Sequence, residues 1–459
     1  MEVQMIGGAN PNPMNGHGNH HHVVTVATEA ARDWSSVVHR RLGQRPTRLK
    51  HSAGSYSCCI FKVPGTLLEL NPKAYKPRIV SIGPYHHGKE YVHMIEEHKP
   101  RFFSALLART RSFGVDYNDY FNALASKEEE IRDCYSEPLN FGSSELIEMM
   151  VLDGCFIIEM FRVIESIVTP EPDDPIFNML WTFTSFMRDF LHLENQVPFF
   201  VLQTLYDMSK CPADPQYSLV ELTLRFFNYG VQRPPDVLVK YYGVADVKHL
   251  LHLIQMSLIN LPPESPREFD DEYLQLVRSV TKLRRSGIKF KPRKCDGWLD
   301  IRFNNGVLEI PPLTIDELTS SFFLNCVAFE QCYCYCSQHI TSYVTFMGCL
   351  MATADDASFL SDHHVLENYY GTYPEVASFF NDLGKDVGFD IGRCYLAGVM
   401  EDLNRYYRNQ WRVRWTGLKR KYFGNPWSLI SALAASLILV LTFIQSFFAL
   451  YAYVRPPRS

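Results

Sequence analysis

Residues 143–166 read SSELIEMMVLDGCFIIEMFRVIES, and apolar side chains occupy almost every side of this stretch at helical spacing. A surface helix keeps one polar face, whereas a helix that is apolar nearly all round has to lie inside a body of other helices. The stretch therefore predicts a mainly α protein with this helix in its core, with Glu145, Glu148, Glu159 and Arg162 as its wet positions.

On the N-terminal side, MIEEHKPRFFSALLART (94–110) has helical spacing at Phe102, Ala105, Leu106 and Arg109, and its Pro100 fits only a first turn. Before it, CCIFKVP (58–64) reads as a short strand and GTLLELNPKAY (65–75) as a helical turn stopped by Asn71-Pro72. PRIVSIGPYHHG (77–88) reads as an extended run closed by a Gly-Pro turn. Residues 1–28 are rich in Gly, Asn, Pro and His and too polar to build a core, which predicts a disordered tail. Its His17, His20, His21 and His22 need no metal to be explained.

On the C-terminal side, FTSFMRDFLHLENQVPFFVLQTLYD (183–207) reads as two helices joined at Asn195, with Asn195 as the cap of the second. Asp189 and Glu194 invite a paired-carboxylate reading. Five residues apart on one helix they would point about 140° apart, so capping and surface hydrogen bonds are expected of them. In LDIRFNNGVLEIPPLTIDELTSSFF (299–323), Asn305-Gly306 is a two-residue hairpin turn, since both positions require positive φ. That turn sets Phe303 opposite Leu308 and Ile301 opposite Ile310, with Asp300, Arg302 and Glu309 on the other face. Thr314 to Glu317 then reads as a capping box. If the following helix continues, Cys332, Cys336 and His339 share one side of it. No fourth ligand is evident, and no metal is assigned.

From Trp427 to Val454 there is no charged residue, and Gln445 is the one strongly polar side chain in these 28 positions. About 20 apolar residues cross a bilayer, and Trp427, Tyr451 and Tyr453 lie where aromatic side chains favour the headgroup level. Seven basic residues precede the run (Arg405, Arg408, Arg412, Arg414, Lys419, Arg420, Lys421) and two follow it, which places the body on the cytosolic side. A run of this length slightly favours the plasma membrane over endomembranes. Leu396, Met400, Leu403, Tyr407, Trp411, Trp415, Leu418 and Tyr422 form an apolar stripe ahead of it. This basic amphipathic helix has two readings: it lies on anionic lipid, or it packs on the body. The expected organisation is a tail (1–28), a helical body with a small β-hairpin (29–395), a juxtamembrane helix (396–425), a transmembrane helix (427–454) and a short end (455–459).

Composition agrees with a folded body. Across 459 residues, 46% are hydrophobic and the net charge is -5, which argues against a general nucleic-acid binder. The 12 cysteines show no secreted disulfide framework, and no Asn-x-Ser/Thr acceptor is present. No basic-then-apolar leader opens the sequence, so insertion by the C-terminal run is expected. Nucleotide-binding, nucleophile-elbow and zinc-protease motifs are missing, and no cofactor is assigned. HMIEEH (93–98) has one residue too many for an inverted zinc motif. His86 and His87 in the GPYHHG turn (83–88) are the remaining site candidates, as base or ligand, against a packing role in the turn.

Several of these stretches, taken in order, resemble signatures of the plant family known as domain of unknown function 247. They are KVPGTLLELNPKAYKPRIVSIGPYHHG, EEHKPRF, MMVLDGCFIIEMF, DFLHLENQVPFFVLQTLY, LDIRFNNGVLEIPPLTID, AFEQC, ITSYVTFMGCL and the apolar run with its approach. Pro100 stands where the family commonly has Trp, and CYCYC (332–336) is unusually dense in cysteine. The resemblance implies a plant-specific helical membrane protein with one C-terminal span and no assigned reaction. Some grass members are pollen-side determinants of self-incompatibility, which implies recognition of a protein partner. A non-catalytic membrane-anchored recognition or signalling protein is thus the leading expectation, with VTPEPDDPIF (168–177) and 210–215 as recognition loops. The rivals are an enzyme using His86 and His87, and a passive tether whose basic helix organises lipid.

Overall fold

The computed structural model describes residues 34, 36–43, 48–212, 214–259, 269, 272–295, 297–408 and 426–454. The chain divides into two units, 1–51 and 52–459. In the first, residues 36–42 are helical and 1–33 lie outside the described residues, so the expected tail is not described. The second unit carries everything that follows.

Its longer helices, numbered along the chain, are α1 (Lys99–Thr110), α2 (Tyr117–Ala125), α3 (Ser143–Ile164), α4 (Leu180–Asp189), α5 (Phe199–Met208), α6 (Leu219–Val231) and α7 (Leu250–Leu258). After four short strands come α8 (Glu317–Cys332), α9 (His339–Leu350), α10 (Ala354–Asp362), α11 (Tyr373–Leu383), α12 (Ala397–Arg408) and α13 (Pro426–Val454). The chain is mainly α with small β elements, as its patterning predicts.

Helix α3 is the axis of the N-terminal half. It packs against α1, α2, α5 and α6, and from Met149 to Arg162 all but Leu152 are buried. Rings from α1, α6 and the C-terminal end of α4 meet around it: Phe156 contacts Phe102, Phe186 and Phe190 edge-on, and Phe161 lies 4.7 Å from Phe226. Gly154 lets α5 approach, since a Cβ there would stand 2.4 Å from a methyl of Leu205. Pro100 sits in the first turn of α1, whose core face is Lys99, Phe102, Phe103, Leu106 and Thr110, leaving Ala105 exposed.

Two of the expected wet positions on α3 are dry. Glu159 and Arg162 are almost fully buried and pair at 2.9 Å. Arg109 reaches the same Glu159 oxygen at 2.6 Å, and Arg162 also donates to the Ser209 carbonyl and hydroxyl at 3.0 Å. Burial is tolerated because Glu159 is shared by Arg109 and Arg162, and the remaining donors of Arg162 are taken up by neutral Ser209 at the end of α5.

The hairpin forms as predicted. Phe303 faces Leu308 across Asn305-Gly306, both at positive φ (49° and 81°). Asp300 and Glu309 on the outer face both pair with Arg293. Not foreseen are the parallel partners. Strand β1 (Lys289–Pro292) joins β3 (Val307–Ile310), giving the order β1-β3-β2 with β2 (Arg302–Asn304), and β4 (Leu313–Ile315) pairs with β5 (Leu366–Asn368). Since Thr314 is in β4, the capping box shifts two residues on, to Asp316 and Thr319.

Helix α8 stops at Cys332, and His339 opens α9. Cys332, Cys336 and His339 thus never share a helical face, and no metal-ligating cluster occurs among the described residues. The α8–α9 joint is held by Glu330. Its carboxylate accepts from Ile340 N (2.9 Å), Thr341 N (2.7 Å), Thr341 Oγ1 (2.6 Å) and Gln255 Nε2 of α7 (2.6 Å). Burial nevertheless pushes Glu330 up to about 7.

Two outcomes follow. Glu159→Leu strands Arg162 in the core and should cost about 3 kcal/mol in denaturant unfolding, while Glu159→Leu with Arg162→Met should recover part of that loss. For Glu330 the folded pKa lies above the unfolded value of 4.5, so its contribution is complete below pH 4.5 and fades as pH rises through about 7. The melting temperature of wild type minus that of Glu330→Gln should therefore fall between pH 5 and pH 8, and a constant difference would contradict the assignment.

Candidate functional site

The histidines singled out in the sequence lie beside an irregular segment threaded through the body. Residues 77–83 belong to no helix or strand, yet Ile79 to Gly83 are all buried. Backbone polar groups away from water need partners, and a lone segment outside helix and sheet cannot supply its own. The partners come from the bend 189–196 and from α3. A single Asp189 oxygen accepts from Arg78 N (2.9 Å), Ile79 N (2.8 Å) and Val80 N (3.2 Å). Asn195 accepts from Ile82 N (2.7 Å) and donates to the Val80 carbonyl (3.2 Å). Asp153 of α3 accepts from Gly83 N (2.7 Å), and Lys99 bridges Asp153 and the Ser81 carbonyl, both at 2.5 Å.

The bend itself is tied down as closely. Gln196 donates to the carbonyls of Phe190 and His192, and its own carbonyl accepts from Tyr135 Oη at 3.1 Å. Leu193 N donates to Asn325 of α8, and His192 Nε2 lies 3.1 Å from Ser321 Oγ. Burial holds the His192 imidazole well below its ordinary value, hence neutral.

These contacts overturn the surface reading of Asp189 and Glu194. Helix α4 ends at Asp189, residues 190–196 are irregular, and both carboxylates turn inward. Burial raises Asp189 above the usual carboxylate range, and the three N–H donors limit the rise. Glu194 binds Val63 N at 2.8 Å and Lys62 Nζ at 3.0 Å. Burial opposes its charge too, but His86, Lys62 and the Val63 N–H outweigh it and hold Glu194 low. Asn195 is not a cap either, as α5 begins after Pro198.

His86 is buried, with Nδ1 2.9 Å from Tyr91 Oη and Nε2 3.4 Å from Glu194. His87 lies edge-on to Phe141, with Nδ1 4.0 Å from Glu96. The structure thus puts each histidine beside a carboxylate, on the flank of the clasp around 77–83. Sequence reasoning missed Asp153 and Lys99, and the one local sign of them is a charge in an otherwise apolar helical stretch.

The remaining candidates lie elsewhere. Arg405 pairs with Glu401 at 2.6 Å, and Arg408 with Glu272 at 3.1 Å. Leu396, Met400 and Leu403 are buried, so this part of the basic amphipathic stretch packs on the body. Arg412, Arg414, Lys419, Arg420 and Lys421 lie outside the described residues. In α13, Gln445 and Tyr451 are exposed, and the side chains of Trp427 and Tyr453 lie outside the described residues. In the expected recognition loop, Asp174 is no free charge. It is buried, forms a two-pronged pair with Arg101 (2.6 and 2.7 Å) and caps Ile176 N.

Asp189→Ala leaves the N–H groups of Arg78, Ile79 and Val80 without their acceptor, and each of the two buried ones, Ile79 and Val80, is worth about 1–3 kcal/mol. It should lower the unfolding midpoint more than His86→Ala and His87→Ala together, as read by circular dichroism during denaturant titration. The reverse order would place the structural weight on the histidines.

A family model described as a plant protein of unknown function, DUF247, matches residues 60–441. The UPF0481 protein At3g47200 of Arabidopsis thaliana is 38% identical over 438 residues, covering 91% of each chain. The putative UPF0481 protein At3g02645 of the same plant is 23% identical over 496 residues, covering 87% of this chain and 91% of the relative. No solved structure matches significantly. With the family model spanning most of the body and the α13 region, the chain belongs to the plant DUF247 family.

Proposed function

We propose that this chain is a membrane-anchored recognition or signalling protein that catalyses no reaction of its own, with its body on the cytosolic side of the plasma membrane and a protein as its partner. The observation that carries this reading is α13. Between Leu433 and Tyr451 it is 19 residues long, apolar and 0% buried, and it carries no charge. At 1.5 Å per residue that window is about 28 Å long, close to the hydrocarbon thickness of a bilayer. Leu437, Phe443 and Phe448 are each more than 60% exposed, an arrangement that water penalises and lipid does not.

The chemistry of the body supports the non-catalytic part. The groups with a catalytic look, Asp153, Asp189, Glu194 and Lys99, spend their hydrogen bonds on backbone and on each other, and His86 is enclosed with them. Recognition as in the grass self-incompatibility relatives would then use the outer surface, where Met179, Trp181 and Tyr229 are exposed. The basic residues ahead of α13 would add anionic lipid contact.

In plant-cell membranes the full chain should stay in the pellet after alkaline carbonate extraction, and Leu437→Arg with Leu441→Arg should release it. An N-terminal tag should be digested by added protease in intact vesicles while a C-terminal tag stays shielded. Extraction of the wild type, or shielding of the N-terminal tag, would overturn the anchoring or the orientation respectively.

A further inference from the structure

Away from the clasp, a cleft of about 610 Å³ opens between the α8–α9 joint and residues 388–395. This lies in the size range of small-molecule sites. Its two walls are held in place. Gln331 of α8 takes Gly388 in a reciprocal pair of hydrogen bonds, accepting from its N–H at 2.6 Å and donating to its carbonyl at 3.2 Å. Glu330 fixes the first turn of α9 through Ile340 N and Thr341. The cleft is therefore preformed.

Two side chains lining it are unfinished. The rings of His339 and Tyr395 lie side by side, centroids 5.2 Å apart, and both His339 Nδ1 and Tyr395 Oη are buried with no hydrogen-bond partner. Buried polar atoms without partners cost stability, so their presence calls for a reason. Tyr343 Oη and Thr345 Oγ1 also lack partners, but those residues do not line the cleft. The phenol can donate or accept, and Nδ1 of a neutral imidazole does one or the other according to its tautomer. A hydroxyl satisfies both atoms in either tautomer, whereas a carboxylate, which only accepts, satisfies Nδ1 only when that nitrogen carries the proton. Charge points the same way. Asp390 and Arg393 at the rim pair with each other at 3.5 Å, and Glu330 stands in the wall, so no unopposed cation is left for an anion. Phe389 adds an apolar ring to the lining.

We propose that this cleft binds a neutral polyhydroxylated small molecule of mono- or disaccharide class, with hydroxyls of the ligand bonded to Tyr395 Oη and His339 Nδ1. The site is independent of membrane anchoring and involves no covalent step.

The test uses the full chain in phospholipid nanodiscs, free of sugar detergents, with sucrose as the neutral probe and citrate as the anionic one. Saturation-transfer difference NMR should show transfer to sucrose ring protons and none to citrate. Tyr395→Phe and His339→Ala should each reduce the sucrose signal at least fivefold. Because Tyr395 Oη has no partner within the protein, Tyr395→Phe should keep or raise the melting temperature, which separates lost binding from lost folding. Absence of transfer to sucrose, a preference for citrate, or an undiminished sucrose signal in both variants would each overturn the proposal.

Discussion

The body depends on satisfying the backbone of one irregular segment in a place without water. Residues 77–83 run between helices with no neighbouring strand, so their N–H groups must find acceptors among side chains. Asp189 supplies three, Asn195 and Asp153 one each, and Lys99 closes the circle on the Ser81 carbonyl. Because those side chains belong to α1, α3 and the bend after α4, the segment can be seated only when all of these are in place. The bend in turn reaches Lys62, Val63, Tyr135, Leu251 and Asn325, so elements far apart in the chain converge on eight residues.

Such a network gives meaning to motifs that look catalytic in the sequence. A run with Asp, His, Glu, Asn and Gln within eight residues offers every group an active site needs. Here Asp189, Asn195 and Gln196 have their hydrogen bonds committed to backbone. Glu194 is similarly committed to Val63 N, Lys62 and the neighbouring His86. The cleft beside His339 and Tyr395 has the opposite character, with polar atoms left open inside a fixed frame. On the proposed reading, structure and interaction would fall to different parts of the body and attachment to a bilayer to α13, a described helix long and apolar enough to cross a membrane.

What could be read from the sequence was whatever a local pattern determines. The all-round apolar run became α3, Pro100 marked the first turn of α1, and Asn305-Gly306 set the hairpin register. The exposed α13 followed from the absence of charge alone. What could not be read depended on distant partners. Glu159 and Arg162 look solvated until Arg109 and Ser209 are brought to them, and Asp189 looks like a surface carboxylate until residues 78–80 arrive from 110 positions away. The parallel pairing of β1 with β3 and of β4 with β5 joins strands that no turn connects, so no local signal exists for it. The same holds for the cleft, where His339 and Tyr395 come from separate elements.

The clasp is tested most directly by native-state hydrogen exchange at the amides of Ile79, Val80, Ile82 and Gly83. If Asp189, Asn195 and Asp153 hold this segment as an integral part of the body, these four amides should exchange only by global unfolding, with the same protection as Ile157 and Ile158 in the centre of α3. Exchange at the rates of an exposed loop, while α3 stays protected, would contradict the account and free those carboxylates for another role.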